Sequence, residues 1–258
     1  MIANFNNSSI HYTIIGKGPA LVLLHGFLLS PTIWTEIIPN LTKKNQVIII
    51  DLPGHGKSES IAETHSMELM AEVVNSILEE NNIEKANFIG HSMGGYISLA
   101  FIEKYPAKIK TLVLLNSSSE ADSEERKINR NRAIEVIQTH KEVFIKMGIA
   151  ALFKEDKQKE FQHLIEKFST EAFHFPVEGI VASIKGMRDR KDRTSILKNF
   201  KGEKYIISGI EDPIIPISNS EKNALITNSE LYKVNSGHMS VNENIDEIIK
   251  IMHFIDYL

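Results

Sequence analysis

The chain has 258 residues, with 29 basic against 33 acidic side chains, a formal net charge of -4 and 42% hydrophobic residues. That composition describes one mildly acidic globular domain with material for a large core, and it argues against nucleic acid as a partner. With no cysteine in the chain, disulfides, thiolate nucleophiles and thiolate metal sites are excluded.

Met1 to Asn7 carries no basic region and no long apolar stretch, and no later run approaches the ~20 apolar residues that span a bilayer. Cytoplasmic residence with no membrane partner is therefore expected. His11 to Ile15 reads as a strand, Gly16 to Pro19 as a turn, and Ala20 to Leu24 as a second strand without polar alternation, the pattern of a strand buried on both faces. Pro31 opens a helix to about Leu41, Gln46 to Ile50 is another apolar strand, and Ser66 to Asn81 has helical spacing at Leu69, Val73, Val74, Ile77 and Leu78. The strand around Phe88 is followed by a helix from Gly95 to Tyr105, and Thr111 to Leu115 is the next buried strand.

The alternation then stops. From 118 to 199 the chain is charged and helical, with candidate helices at Glu124 to Thr139, Lys141 to Phe153, Lys157 to Phe168 and Val177 to Met187. Most of its Lys and Glu residues read as solvated surface, but Phe144, Phe153, Phe161, Phe168, Phe173 and Phe175 must pack on one another or on the main domain. Strands resume at Lys204 to Ser208 and Leu231 to Val234, and Ile245 to Leu258 closes as an amphipathic helix. Strands alternating with helices predict an α/β fold with a mostly parallel, doubly wound central sheet. Residues 1–117 and 200–258 would form the core, and 118–199 a helical insertion.

Gly90-His91-Ser92-Met93-Gly94 lies between a strand pattern and a helix pattern, the setting of a G-x-S-x-G nucleophile elbow. Small neighbours leave room for a strained turn that presents the Ser92 hydroxyl. A serine hydroxyl needs a base, and the base needs a group that fixes its tautomer. His238 follows the last strand and Asp212 the one before it, which brings both to the carboxyl edge of the sheet where ligands gather. Glu211 competes with Asp212 as the acid, Asp51 is less well placed, and the strand before the insertion ends on Asn116, which is no carboxylate. The oxyanion donors are expected to be the backbone amides of Met93, next to the nucleophile, and of Phe27 in the turn His25-Gly26-Phe27. Phe27, Met93 and Met239 are expected to touch the substrate.

Two motifs fail on inspection. Gly56-Lys57-Ser58 lacks the first glycine of a phosphate-binding loop, since Asp51 stands there. Gly16-Lys17-Gly18 is followed by a strand rather than a helix, so a dinucleotide has no support. No metal ligand set is apparent among the ten histidines, and no cofactor is expected.

His25-Gly26-Phe27, Asp51 to Ser58, Gly90 to Gly95, Gly209 to Pro213 and Gly237-His238 together resemble the landmarks of the α/β-hydrolase superfamily, along nearly the whole chain. The order Ser92, Asp212, His238 is that fold's order of nucleophile, acid and histidine. The insertion resembles the helical cap that members carry between the sixth and seventh core strands, and Met187 to Thr194 is similar to a structural stretch that precedes the seventh strand in many of them. The resemblance is to small, cofactor-free bacterial carboxylesterases, enol-lactonases and haloperoxidase-like perhydrolases. Serine at 92 sets the chain apart from dehalogenases and epoxide hydrolases, which use aspartate there. It implies hydrolysis of a small-molecule acyl substrate, such as a carboxylic ester, through an acyl-enzyme on Ser92. A carbon-carbon hydrolase or lyase using the same triad, and a ligand-binding signalling protein with slow turnover, remain alternatives. Substrate identity and oligomeric state are not legible at this level.

Overall fold

The computed structural model describes residues 1–255. A single eight-stranded sheet contains β1 Ile2–Phe5, β2 Ser8–Ile15, β3 Ala20–Leu24, β4 Gln46–Ile50, β5 Ala86–His91, β6 Ile109–Leu115, β7 Glu203–Gly209 and β8 Glu230–Val234. Across the sheet the order is β1-β2-β4-β3-β5-β6-β7-β8, with β1 and β2 antiparallel and β3 to β8 parallel. The first strand was not anticipated. It pairs with β2 through a two-residue hairpin at Asn6 and Asn7, whose φ angles of 50° and 64° suit a turn that matches strand twist, and asparagine tolerates them well.

The helices are α1 Ile38–Leu41, α2 Met67–Glu80, α3 Met93–Lys104, α4 Glu124–Thr139, α5 Lys141–Ala150, α6 Gln162–Ala172, α7 Val177–Arg188, α8 Thr194–Asn199, α9 Ile217–Thr227, α10 Ser240–Glu243 and α11 Ile245–Phe254. The helix expected from Pro31 to Leu41 is instead a 3-10 turn at Pro31–Trp34 and the short α1, because Pro39 has no N–H and restrains the residue before it. The helix expected at Lys157 starts only at Gln162: the connection folds back on itself with Phe153 and Phe161 stacked at 5.5 Å. Of the closing helix expected to reach Leu258, residues 256–258 lie outside the described residues. No helix of the described residues is long and apolar enough to cross a membrane.

The continuous apolar strands follow from helices on both faces. Leu21 and Leu23 of β3 join Val47, Ile49, Val113 and the α11 residues Ile248 and Met252 in one core layer. Val22 and Leu24 turn the other way, to Ile48, Phe88, Leu114 and the α2 and α3 residues Val74, Ile97 and Phe101. Since successive strand side chains alternate between faces, a strand with two covered faces has no polar position. Each such buried side chain contributes about 1.5–3 kcal/mol.

α4 to α7 lie between β6 and β7, the sixth and seventh strands, while α8 packs on α3 and α9 of the core. β3 is where the strand order reverses, with β4 on one side and β5 on the other. Such a switch point opens a crevice at the carboxyl ends of the strands.

Candidate active site

Ser92 sits where β5 passes into α3, with φ 50° and ψ -113°, a conformation that costs a non-glycine residue on the order of 1–3 kcal/mol. Its surroundings impose it. The Ser92 amide donates to the Leu115 carbonyl at 3.0 Å and the Ser117 hydroxyl donates to the Ser92 carbonyl at 2.7 Å, so the turn is tied to the end of β6 on both sides. Backbone crowding excludes side chains next to it: a methyl on Gly90 would lie 2.5 Å from the Gly94 carbonyl oxygen, and one on Gly94 2.2 Å from that of Leu24.

Asp212 and His238 are carried to the same edge by β7 and β8. The two turns are joined by the Ile210 amide on the Val234 carbonyl at 2.8 Å and the Glu211 amide on the Ser236 carbonyl at 3.0 Å. His238 Nδ1 donates to Asp212 Oδ2 at 2.8 Å, with both side chains almost fully buried. The other carboxylate oxygen accepts the amides of Ile214 at 2.8 Å and Ile215 at 2.9 Å. Burial would raise the Asp212 carboxyl, but the charge and hydrogen bond of His238, the Ile215 amide and the Asn116 side chain outweigh it and hold the group below its ordinary value. Glu211 instead pairs with Lys154 at 2.7 Å, and Asp51 accepts the Lys57 amide.

Two positioning groups were not anticipated. Asn116, rejected as an acid, donates from Nδ2 to Asp212 Oδ2 at 3.0 Å and to the Gly237 carbonyl at 3.1 Å. Its φ of 46°, after a buried strand, is one that asparagine adopts readily. Glu243 accepts the amides of Gly237 at 2.8 Å and Met239 at 2.9 Å, gripping the residues on either side of His238. His91 Nε2 lies 2.9 Å from the His238 carbonyl. Burial, with His238 adding to it, lowers His91 to about 3, so at neutral pH its one ring N–H donates there.

Opposite Ser92 runs the turn after β3. His25 Nδ1 lies 2.8 Å from the Gly26 carbonyl and Nε2 accepts the Leu52 amide at 3.1 Å. Since Nε2 is an acceptor, Nδ1 carries the proton, and burial keeps the ring neutral. A neutral histidine thus pins the loop that presents the Phe27 amide. Among the described residues neither the Phe27 amide nor the Met93 amide donates to a backbone carbonyl, and the latter opens α3, where amides have no partner inside the helix.

Gly26, Phe27, Ser92 and His238 line one cavity of about 230 Å³ together with residues of the insertion, among them Arg126, Arg130, Phe144 and Leu152. Phe27 lines this cavity. The side chains of Met93 and Met239 are not among those lining the cavity. Both are fully buried in the two core layers, because each follows a residue that faces the cavity and so points away from it, into apolar packing.

The insertion's aromatics pack as anticipated, on one another and on the core: Phe175 meets the His55 ring at 5.4 Å, and Phe144 reaches the cavity. The stretch Met187 to Thr194 is held by buried arginines. Arg190 pairs with Asp122 at 2.6 Å, and Arg193 with Glu68 at 2.7 Å and Glu103 at 2.9 Å.

A family model described as alpha/beta hydrolase fold matches residues 19–244. An uncharacterized hydrolase, YugF, of Bacillus subtilis (strain 168) is 30% identical over 262 residues, spanning 96% of this chain and 92% of its own length. A 2-hydroxy-6-oxononadienedioate/2-hydroxy-6-oxononatrienedioate hydrolase of Paraburkholderia phymatum is 36% identical over 121 residues, 45% of this chain and 42% of that protein. Among solved structures, a thermophilic esterase from Thermogutta terrifontis with malate bound has a TM-score of 0.90 at 28% identity, covering 96% of this chain and 93% of its own. The enol-lactonase of Burkholderia xenovorans LB400 has the same fold, with a TM-score of 0.90 at 21% identity over 100% of this chain and 99% of that one. The chain belongs to the α/β-hydrolase fold family.

Proposed function

We propose that the protein is a serine hydrolase that cleaves a small carboxylic ester or related acyl compound through an acyl-enzyme on Ser92. The observation that carries this reading is the strained Ser92 sharing one cavity with a histidine whose Nδ1 is bonded to a buried carboxylate. With Nδ1 committed to Asp212, the Nε2 lone pair of His238 is the group available to take the Ser92 proton. The Ser92 oxygen attacks the scissile carbonyl, and the amides of Phe27 and Met93 receive the oxyanion, each such donor being worth roughly 3 kcal/mol in the barrier. His238 then returns the proton to the leaving alcohol and activates the water that frees the acid. Helices α4 to α7 act as a cap that keeps bulk water from the acyl-enzyme.

The 28% identical esterase supports the ester reading. Cleavage of a carbon-carbon bond by the same residues is the second reading, favoured by the segment shared with the Paraburkholderia hydrolase. Hydrolysis of p-nitrophenyl acetate and butyrate, with fluorophosphonate labelling of the protein, tests the first. Replacing Ser92 with alanine is expected to abolish labelling and lower kcat by roughly 10⁴-fold or more. Full activity in Ser92→Ala would overturn the assignment, and strong ligand stabilisation with negligible turnover would point to the slow-turnover receptor instead.

A further inference from the structure

Among the described residues no carboxylate side chain lines the cavity that holds Ser92, yet two arginines do. Arg126 and Arg130 are one helical turn apart on α4, a spacing that puts both on one face. Neither has its charge fully matched. Arg126 Nη2 donates to the neutral Ile214 carbonyl at 2.6 Å, and it forms no ion pair among the described residues. Arg130 Nε donates to Asp122 Oδ2 at 3.1 Å, but the other oxygen of that buried carboxylate takes Arg190 Nη1 at 2.6 Å. Arg190 in turn lies 4.1 Å over the ring of Tyr96, another cavity residue. Two guanidiniums thus share one carboxylate and the third has none, which leaves two of the three positive charges uncompensated at the wall of the cavity. Each guanidinium has five donors in a fixed fork, and the contacts above use only one on Arg126 and one on Arg130.

Most of the remaining wall is apolar, including Phe27, Leu28, Leu29, Phe144 and Leu152. Both arginines are only half-buried, and against this apolar wall an anion would take up the donors that the protein leaves free. Ser92 and both arginines line the same cavity of about 230 Å³, a volume that limits the substrate to a short acyl compound. We infer that the substrate is an acyl compound carrying its own carboxylate, a half-ester of a short dicarboxylic acid, whose charge is received by Arg126 and Arg130. The inference rests on the serine-hydrolase reading for the bond that is broken, and on the arginines alone for the anion.

The structural role of Arg126 does not account for the pair. Its bond to Ile214 ties α4 to the loop whose amides hold Asp212, but a clamp alone would disturb neutral and anionic substrates equally. A pair of esters matched in length, monoethyl glutarate and ethyl pentanoate, separates the two roles when hydrolysis is followed by acid release. The intact protein is expected to prefer the half-ester in kcat/KM. Arg126→Gln and Arg130→Gln are each expected to reduce the ratio of half-ester to neutral-ester kcat/KM roughly ten- to hundredfold, the range for losing a hydrogen bond to a charged group. Most of that change should appear in KM. Arg126→Lys, which keeps the charge and loses the fork, should recover part of the preference. An equal loss on both esters, or preference of the intact protein for ethyl pentanoate, would overturn the inference.

Binding separates its failure from failure of the hydrolase reading. Glutarate titrated into Ser92→Ala by calorimetry should bind, and should cease to bind when Arg126 or Arg130 is also Gln. Binding without hydrolysis of either ester would sink the ester reading and keep the anion site. Hydrolysis of the neutral ester without glutarate binding would do the reverse. Should Arg126→Gln not fold, as judged by its thermal melt, Arg130→Gln carries the same comparison.

Discussion

Ser92 is held in a costly backbone angle because Gly90 and Gly94 leave no room for the chain to relax and Leu115 and Ser117 fix the turn from the next strand. Strain of this kind persists only where neighbours over-determine it. Asn116 works on the partner side, joining the Asp212 carboxylate to the Gly237 carbonyl and so to the histidine turn. Its removal leaves the carboxylate with one donor fewer and the His238 loop with one tie fewer. Asn116→Ala is expected to lower kcat/KM on an ester by roughly tenfold, the scale of one hydrogen bond to a charged group. Steady-state kinetics would check this, and an unchanged kcat/KM would show that the two amides on Oδ1 suffice to orient Asp212.

At the scale of elements, α7 docks on the core through glycines. A methyl on Gly179 would lie 2.6 Å from the Gly54 Cα, and one on Gly186 1.8 Å from the His65 carbonyl oxygen. Helix propensity and packing therefore predict opposite signs for Gly186→Ala. Alanine gains about 1 kcal/mol over glycine inside a helix, but a collision with rigid backbone costs on the order of 1–3 kcal/mol or more. With a contact this short the cost falls at the upper end of that range and the collision is expected to win, giving a net loss of up to about 2 kcal/mol in urea unfolding; a stabilised variant would mean that α7 rides free of the core. α4 shows the other way of holding an element. Ile137 is its one buried residue, with Ala133 and Ile134 packed beside it, and polar contacts add to this small apolar face, Arg126 to Ile214 and Arg188 to Asn131.

The whole molecule carries buried histidines that stay neutral. Burial lowers His55 and His65 from 6.5 to about 4 and His91 to about 3, and it moves His25 well below its usual value. The unfolded chain takes up these protons near pH 6.5 while the folded one does not, so stability is complete above that pH and is lost as the pH falls toward 4. A histidine moved from 6.5 to about 4 corresponds to roughly 3 kcal/mol across the window. Asp212, held below its ordinary value, has the same sign but acts lower, where carboxylates protonate. Urea unfolding between pH 7.5 and 4.5 should therefore show stability falling by several kcal/mol. A flat profile would contradict neutral burial of these rings.

The residues near the cavity mark the division between chain order and folded geometry. Ser92, Asp212 and His238 were legible because each stands just after an apolar strand, and glycines and a proline punctuate those strand ends in the sequence itself. The parallel sheet was legible because strands covered on both faces admit no polar residue. Asn116 and Arg126 were not, since their significance lies in partners that are far apart in the chain: Asn116 meets Asp212 across 96 positions and Arg126 meets Ile214 across 88. Met93 and Met239 were assigned to the cavity by adjacency, and a turn in the backbone sent both side chains into the core. The sequence by itself determined the α/β-hydrolase fold and which residues stand at its strand ends, because strand ends and local turn chemistry are short-range. Only the tertiary structure decided which side chains line the cavity, because the charge balance at its wall is the sum over segments that meet only when the chain is folded.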